Sequence, residues 1–183
     1  MKAILASIQP RWCELIVAGA KTYEIRKNAI PIGSKVYIYQ TQKKWEFSLK
    51  PELANKQGKV IAEFICDDVI ESMMDEYHDY DIDDDVVSNS QVDRQAINNY
   101  GNGKKLYFWH ISDLELYADA KTLDAFERYS DSNDRPCEKG LYCEHEYFDY
   151  AEDCKACAID FDGTNCPRMK LQKPPQSWCY IDA

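Results

Sequence analysis

No stretch of this 183-residue chain approaches the roughly 20 uninterrupted apolar residues that a membrane helix needs, so a helical membrane protein is excluded. The N-terminus lacks the basic start and apolar run of a secretory signal, and a cytoplasmic protein is expected. Glycine loops of the GxGxxG or GxxxxGK type are missing, as are internal repeats and a regular βαβ alternation; a Rossmann architecture is disfavoured. Without a secretory signal, the eight cysteines read as reduced thiols or metal ligands rather than as a disulfide scaffold.

Basic charge is also scarce, with 22 Lys+Arg against 32 Asp+Glu and a net charge of -10. The deficit is uneven. Residues 1–60 hold 11 basic and 4 acidic residues, whereas Glu63 to Asp93 holds 12 acidic residues and no lysine or arginine. A polyanionic partner is therefore not excluded, because local field rather than net charge governs an encounter. The acidic run, centred on Asp79 to Asp85, is expected to be a solvated, partly disordered loop. The alternatives are a flank that screens a basic site or mimics phosphate, or a contact for a basic protein partner.

What is present suffices for a core: 45% of residues are hydrophobic and 13% aromatic. The length suits one domain over 1–183, with insertions at 67–103 (acidic) and 131–170 (cysteine-rich). Ala3 to Ile8 reads as a strand, followed by Gln9-Pro10 and a helix from Arg11 with Trp12, Leu15 and Ile16 on one face and Gly19 as its stop. From Thr22 to Arg26 the chain alternates, placing Glu24 and Arg26 on one face of a strand and Tyr23 and Ile25 on the other. Further strands are expected over 35–41, 59–66, 106–111 and 114–117, and helices over Val69 to Met74 and Val92 to Tyr100. This is an α+β chain with a small, mostly antiparallel sheet or barrel.

The densest polar cluster is Gly19-Ala20-Lys21-Thr22-Tyr23-Glu24-Ile25-Arg26. It resembles the GxKxxExR signature of the ASCH domain, a member of the PUA-like superfamily. Ser7-Ile8-Gln9-Pro10, Leu15-Ile16, the strands Val36 to Tyr39 and Gly58 to Phe64, and the closing Pro174-Pro175-Gln176-Ser177-Trp178 are similar to that family as well. The resemblance covers roughly 3–66, 104–118 and 171–182 and skips the acidic and cysteine-rich segments. It implies a PUA-like β-barrel and a cleft beside the first helix, lined by the signature residues, in a domain similar to RNA-binding modules.

Candidate cleft residues are Gln9, Trp12, Lys21, Glu24, Arg26 and Thr41, joined by Trp109, His110, Gln176 and Trp178 from distant segments. Lys21 suits a phosphate or carbonyl, or a nucleophile or base if burial lowers its pKa; otherwise it is an exposed strand-end lysine. Arg26 offers a planar fork for phosphate, unless it and Glu24 form an ion pair that only braces the strand. The tryptophans stack bases or fill the core. His110 reads more simply as a structural hydrogen-bonder than as a catalyst.

Cys154-Lys155-Ala156-Cys157 is a CxxC knuckle flanked by Cys143 and Cys166, with Cys137 and His145 as alternates. Four of these suit a structural zinc in a polar segment with few large aliphatics. Free thiols, an adventitious disulfide and an iron–sulfur cluster are the competing readings. Cys13, Cys66 and Cys179 lie in apolar elements and read as small buried hydrophobes.

Functionally, the expectation is binding of single-stranded RNA or a nucleotide. The resemblance also implies two enzymatic alternatives, a ribonuclease and an amidohydrolase that deacetylates acetylcytidine, with Lys21 and Glu24 as the catalytic candidates. In the amidohydrolase pattern threonine follows the lysine by three residues; here that position is Glu24. Glu24 and Glu63 are expected to keep Lys21 protonated, which favours binding over turnover.

Overall fold

The computed structural model describes residues 2–42, 50–128, 171 and 173–182. Its strands are β1 (Lys2–Ile8), β2 (Tyr23–Arg26), β3 (Ser34–Gln40), β4 (Lys59–Cys66), β5 (Val69–Ser72), β6 (Leu106–His110), β7 (Ser112–Lys121), β8 (Glu127–Arg128) and β9 (Trp178–Asp182). The helices are α1 (Pro10–Val17), α2 (Pro51–Ala54), α3 (Asp84–Ser90) and α4 (Arg94–Gly101). No helix among the described residues is long and apolar enough to cross a membrane.

The strands form two sheets, one of six in the order β7-β4-β3-β1-β9-β8 and one of three in the order β2-β6-β5. The α+β class holds, but the expected barrel is not closed: the two ladders remain separate among the described residues. Only β1 and β3 pair in parallel, because α1 and β2 intervene and carry the chain across; the other pairs are antiparallel. The main core lies between the sheets. Ile4, Val36, Ile38 and Phe64 from the large sheet meet Trp109 from the small one and Cys13 and Ile16 from α1.

Helix α1 starts with proline in its first turn, where a missing N–H costs nothing, and ends as its glycine predicts. The Gly19 N–H bonds the Ile16 carbonyl and the Ala20 N–H bonds that of Leu15, a Schellman closure made possible by φ +72° at Gly19. The buried face differs from expectation: it consists of Pro10, Cys13, Glu14 and Ile16, while Trp12 and Leu15 are half-buried. The tight turn after Gly19 delivers Lys21 to the start of β2, and this positions the site.

Two expectations about the acidic segment change. Val69 to Met74 is not helical, because Val69 to Ser72 pairs with β6, where its β-branched start fits the half-buried ladder. Nor is the run from Glu63 to Asp93 merely a loop. Tyr80, Val86 and Ile97 are buried with Ile25, Leu106 and Phe108 in a core of their own, while most of the carboxylates remain at the surface. The Tyr80 hydroxyl donates to the Lys104 carbonyl at 2.5 Å and seats against Gly101 of α4, where a Cβ would collide with the ring.

On the opposite face of the large sheet, Glu63 receives hydrogen bonds from Lys35 Nζ at 2.5 Å and from the Tyr117 hydroxyl. Burial alone would raise its pKa, but these bonds and the charges of Lys35 and Lys121 hold it below the ordinary 4.5. A carboxylate depressed in the folded state contributes stability that is complete above its ordinary value and is lost as pH falls through the folded one. Thermal melts between pH 5 and pH 3 should therefore lose midpoint less steeply in Glu63→Gln than in the parent. Equal slopes would remove Glu63 from the acid response.

Candidate functional site

Glu24 and Arg26 leave β2 on one face, as strand alternation requires, and the register sets Glu24 opposite Trp109 and Arg26 opposite Tyr107. Glu24 lies between two cations. Its Oε2 is 3.4 Å from Lys21 Nζ and its Oε1 is 3.0 Å from Arg26 Nη2. Lys21, only 2% exposed, also donates to the Tyr23 carbonyl at 2.7 Å and to the Ser90 carbonyl at 2.8 Å. Its three protons thus face three acceptors, and the exposed strand-end reading falls. The Trp12 ring centre stands 5.2 Å from its ammonium.

Arg26 is held from both ends of the chain. Nη2 donates to the Ser7 carbonyl at 2.8 Å and Nη1 to Ser177 Oγ at 3.2 Å, and Ser7 Oγ in turn donates to the Pro175 carbonyl at 2.6 Å. The guanidinium lies over Trp109, 5.9 Å from the ring centre. Arg26 Nε is buried and has no partner among the described residues. The ion pair does brace the strand, but two cations against one carboxylate leave the group one positive charge in excess.

Burial dominates the titration of Lys21 and lowers its pKa; Glu24 opposes the shift and Arg26 adds to it. Of the two carboxylates expected beside this lysine, only Glu24 is there. Glu63 is engaged elsewhere, with Lys35 and Tyr117.

The other expected residues divide clearly. Trp109 is fully buried, donates from Nε1 to the Asn28 carbonyl at 3.1 Å and packs edge-on against Trp178 at 5.9 Å. It is a core residue beneath the site, not a stacking wall. Trp178 is half-buried and Gln9 and Gln176 are exposed. Thr41 serves through its backbone, with its N–H on the Ile8 carbonyl at 2.9 Å. His110 lies opposite Tyr23 and so on the other face of β2 and β6 from Glu24 and Arg26. Its Nδ1 sits 2.6 Å from Asp67 Oδ1.

Several contributors were not foreseen. Ser7 and Ser177 hold Arg26, and both stand in the flanking segments that carry the family resemblance. Ser90 and Asn89, at the end of α3, receive the Lys21 ammonium and the Thr22 N–H, so the acidic insertion helps build the site. Tyr100 is 42% exposed, lies under Lys27 Nζ at 4.9 Å and feels the charges of Arg26 and Glu24. No local pattern marks it.

Cys13 and Cys66 are buried and Cys179 is half-buried. Burial pushes the Cys13 thiol well above its usual range and, with Asp67, pushes Cys66 up to about 11. Neither is a nucleophile. The expected zinc ligands Cys143, Cys154, Cys157 and Cys166, with Cys137 and His145, lie outside the described residues. Among the described residues no three His, Cys, Asp or Glu side chains gather as a metal site.

No family model and no curated protein matches the chain. Solved structures do. The ASCH protein of Zymomonas mobilis is similar over 67% of this chain and 74% of its own, at 18% identity and a TM-score of 0.49. A tyrosine-to-phenylalanine mutant of that protein matches over 68% of this chain and 78% of its own, at 19% identity and a TM-score of 0.48. A serine-to-alanine mutant covers 67% and 75%, at 18% identity and a TM-score of 0.49. The chain is thus similar to ASCH structures from one organism, with a modest overlap in both sequence and shape.

Proposed function

We propose that the chain is an ASCH-type binding protein for single-stranded RNA or a nucleotide, which lies over the buried Lys21–Glu24–Arg26 group. The observation that carries this reading is the excess positive charge of that group beneath a rim of aromatic and basic side chains. An anion over a desolvated cation gains more than it would in water, and Arg26, with 10% of its side chain exposed, is the cation within reach. Lys21 contributes through its field, since its protons are engaged. Trp12, Tyr100 and Trp178 offer ring faces or edges to bases, and Lys27 adds an exposed charge.

Fluorescence anisotropy with labelled oligouridine tests this. Affinity should fall by about tenfold between 50 and 200 mM salt, as release of a few counterions requires. Trp12→Ala combined with Tyr100→Ala should weaken binding by about tenfold or more while leaving the fold intact. Unchanged affinity in that double variant would overturn the placement.

One observation favours hydrolysis of an acetylated cytidine: burial depresses Lys21 towards the neutral amine that such chemistry uses. Two oppose it. The lysine is enclosed with all three protons engaged, and a carboxylate stands where that pattern has threonine. In the same preparations acetylcytidine should remain intact by chromatography.

A further inference from the structure

A second concavity lies within the acidic insertion and shares no residue with the Lys21 group. It has a volume of about 620 Å³ and forms between the loop that follows β5 and the outer side of α4. Tyr77 and Asp79 come from the loop; Gln95, Asn98, Asn99 and Asn102 come from the helix and its end. We propose that this pocket receives an arginine side chain from a basic segment of a partner protein.

The chemistry of its walls selects the ligand. Four carboxamides and the Asp79 carboxylate line it beside Met74 and His78, no lysine or arginine does, and Tyr77 stands 81% exposed at its edge. Residues 67–103 carry eleven acidic residues against one basic residue, Arg94. That arginine is committed: its Nη2 bonds Asp84 at 2.6 Å and the Ile82 carbonyl at 2.8 Å, and Nη1 reaches the Tyr80 carbonyl at 3.3 Å and lies 3.7 Å from Asp79. The field at the pocket therefore repels phosphate and attracts a cation. Aliphatic ligands have no apolar wall large enough to cover them. A guanidinium suits the polar walls: its planar donors match the carboxamide and Asp79 oxygens, and its face matches the Tyr77 ring. An ammonium is more strongly hydrated and presents fewer donors.

The pocket is also formed in advance. Asp75 Oδ1 accepts from the N–H groups of Tyr77 and Asp79, both at 2.9 Å, and the Asp75 N–H donates to the Asp79 carbonyl at 2.7 Å. The same loop is closed by the Met74–Tyr80 bridge, and Tyr80 anchors it to the end of α4 through Lys104. A cation entering this pocket orders little that is not already ordered, which lowers the entropic cost of binding.

The test uses a capped pentapeptide of alternating glycine and arginine, and the same peptide with citrulline in place of arginine, titrated into the full chain by calorimetry. Citrulline keeps the shape and removes the charge. Saturable binding of the arginine peptide is expected, with at least a tenfold loss for citrulline. Tyr77→Ala should weaken it by about fivefold, in line with an exposed cation–π contact. Gln95→Lys, at an exposed wall position, should abolish it by placing a like charge in the pocket. Oligouridine affinity should be unchanged in Tyr77→Ala, so this proposal and the RNA reading fail independently. Equal binding of the citrulline peptide, retained binding in Gln95→Lys, or displacement of the peptide by cytidine would overturn it; the last would mark a nucleoside pocket instead.

Discussion

Lys21→Ala should lower folding stability by about 3–5 kcal/mol, read as a reduced urea midpoint at unchanged slope. The size follows from what the side chain leaves behind. The Tyr23 and Ser90 carbonyls lose their donor, Glu24 keeps only Arg26, and a buried stem's volume is vacated. Solvent does not repair this, because the site is closed over the lysine. Lys21→Met keeps the stem and removes only the ammonium, so its loss measures the donors and the difference from Lys21→Ala measures the packing. A midpoint in Lys21→Ala indistinguishable from that of the parent would show that the ammonium braces nothing. RNA binding is better probed at the rim than here, since loss of fold and loss of ligand coincide in Lys21→Ala.

Trp109→Ala is the second large effect, at about 3–5 kcal/mol, the range for truncating a large buried aromatic. Its ring has no exposed surface, its Nε1 proton has a carbonyl partner, and it supports both the Trp178 ring and the Arg26 guanidinium. Trp178→Ala should cost clearly less, because that ring is half-buried at the surface of the same contact. Denaturation of the two variants side by side checks the assignment, and a larger loss at Trp178 would reverse it.

Much of this arrangement was legible in the residues. Alternation from Thr22 to Arg26 correctly put Glu24 and Arg26 on one face, and Gly19 correctly ended α1, because both depend on local geometry alone. Composition could not show which side of a strand faces a core. Trp109 and His110 are neighbours, yet the one lies under the site and the other on the reverse face beside Asp67. Nor could it show that the insertion between β4 and β6 folds back to place Ser90 on Lys21, a contact between residues 69 positions apart. Charge density misled in the same region: a run of carboxylates suggested a solvated loop, while Tyr80 and Val86, set among those carboxylates, close a core behind it with Ile97 of α4. The burial of Lys21 was likewise hidden, since pairing with a carboxylate is visible in sequence and burial is not.

Strand β9 inserts between β1 and β8 in the large sheet, so among the described strands the first takes its second neighbour from the last. The same closure supplies Ser177 to Arg26 and the Pro175 carbonyl to Ser7, the latter across 168 positions. Until residues 175–182 have been made, one edge of β1 lacks β9 and Arg26 lacks Ser177. Contacts this distant are the slowest a chain makes, because the loop they close must be gathered before any of them is rewarded. The basic residues of 1–60 likewise precede the acidic run of 63–93 that offsets them. Charge and strand edge are thus compensated late, by segments far along the chain from β1 and the basic residues.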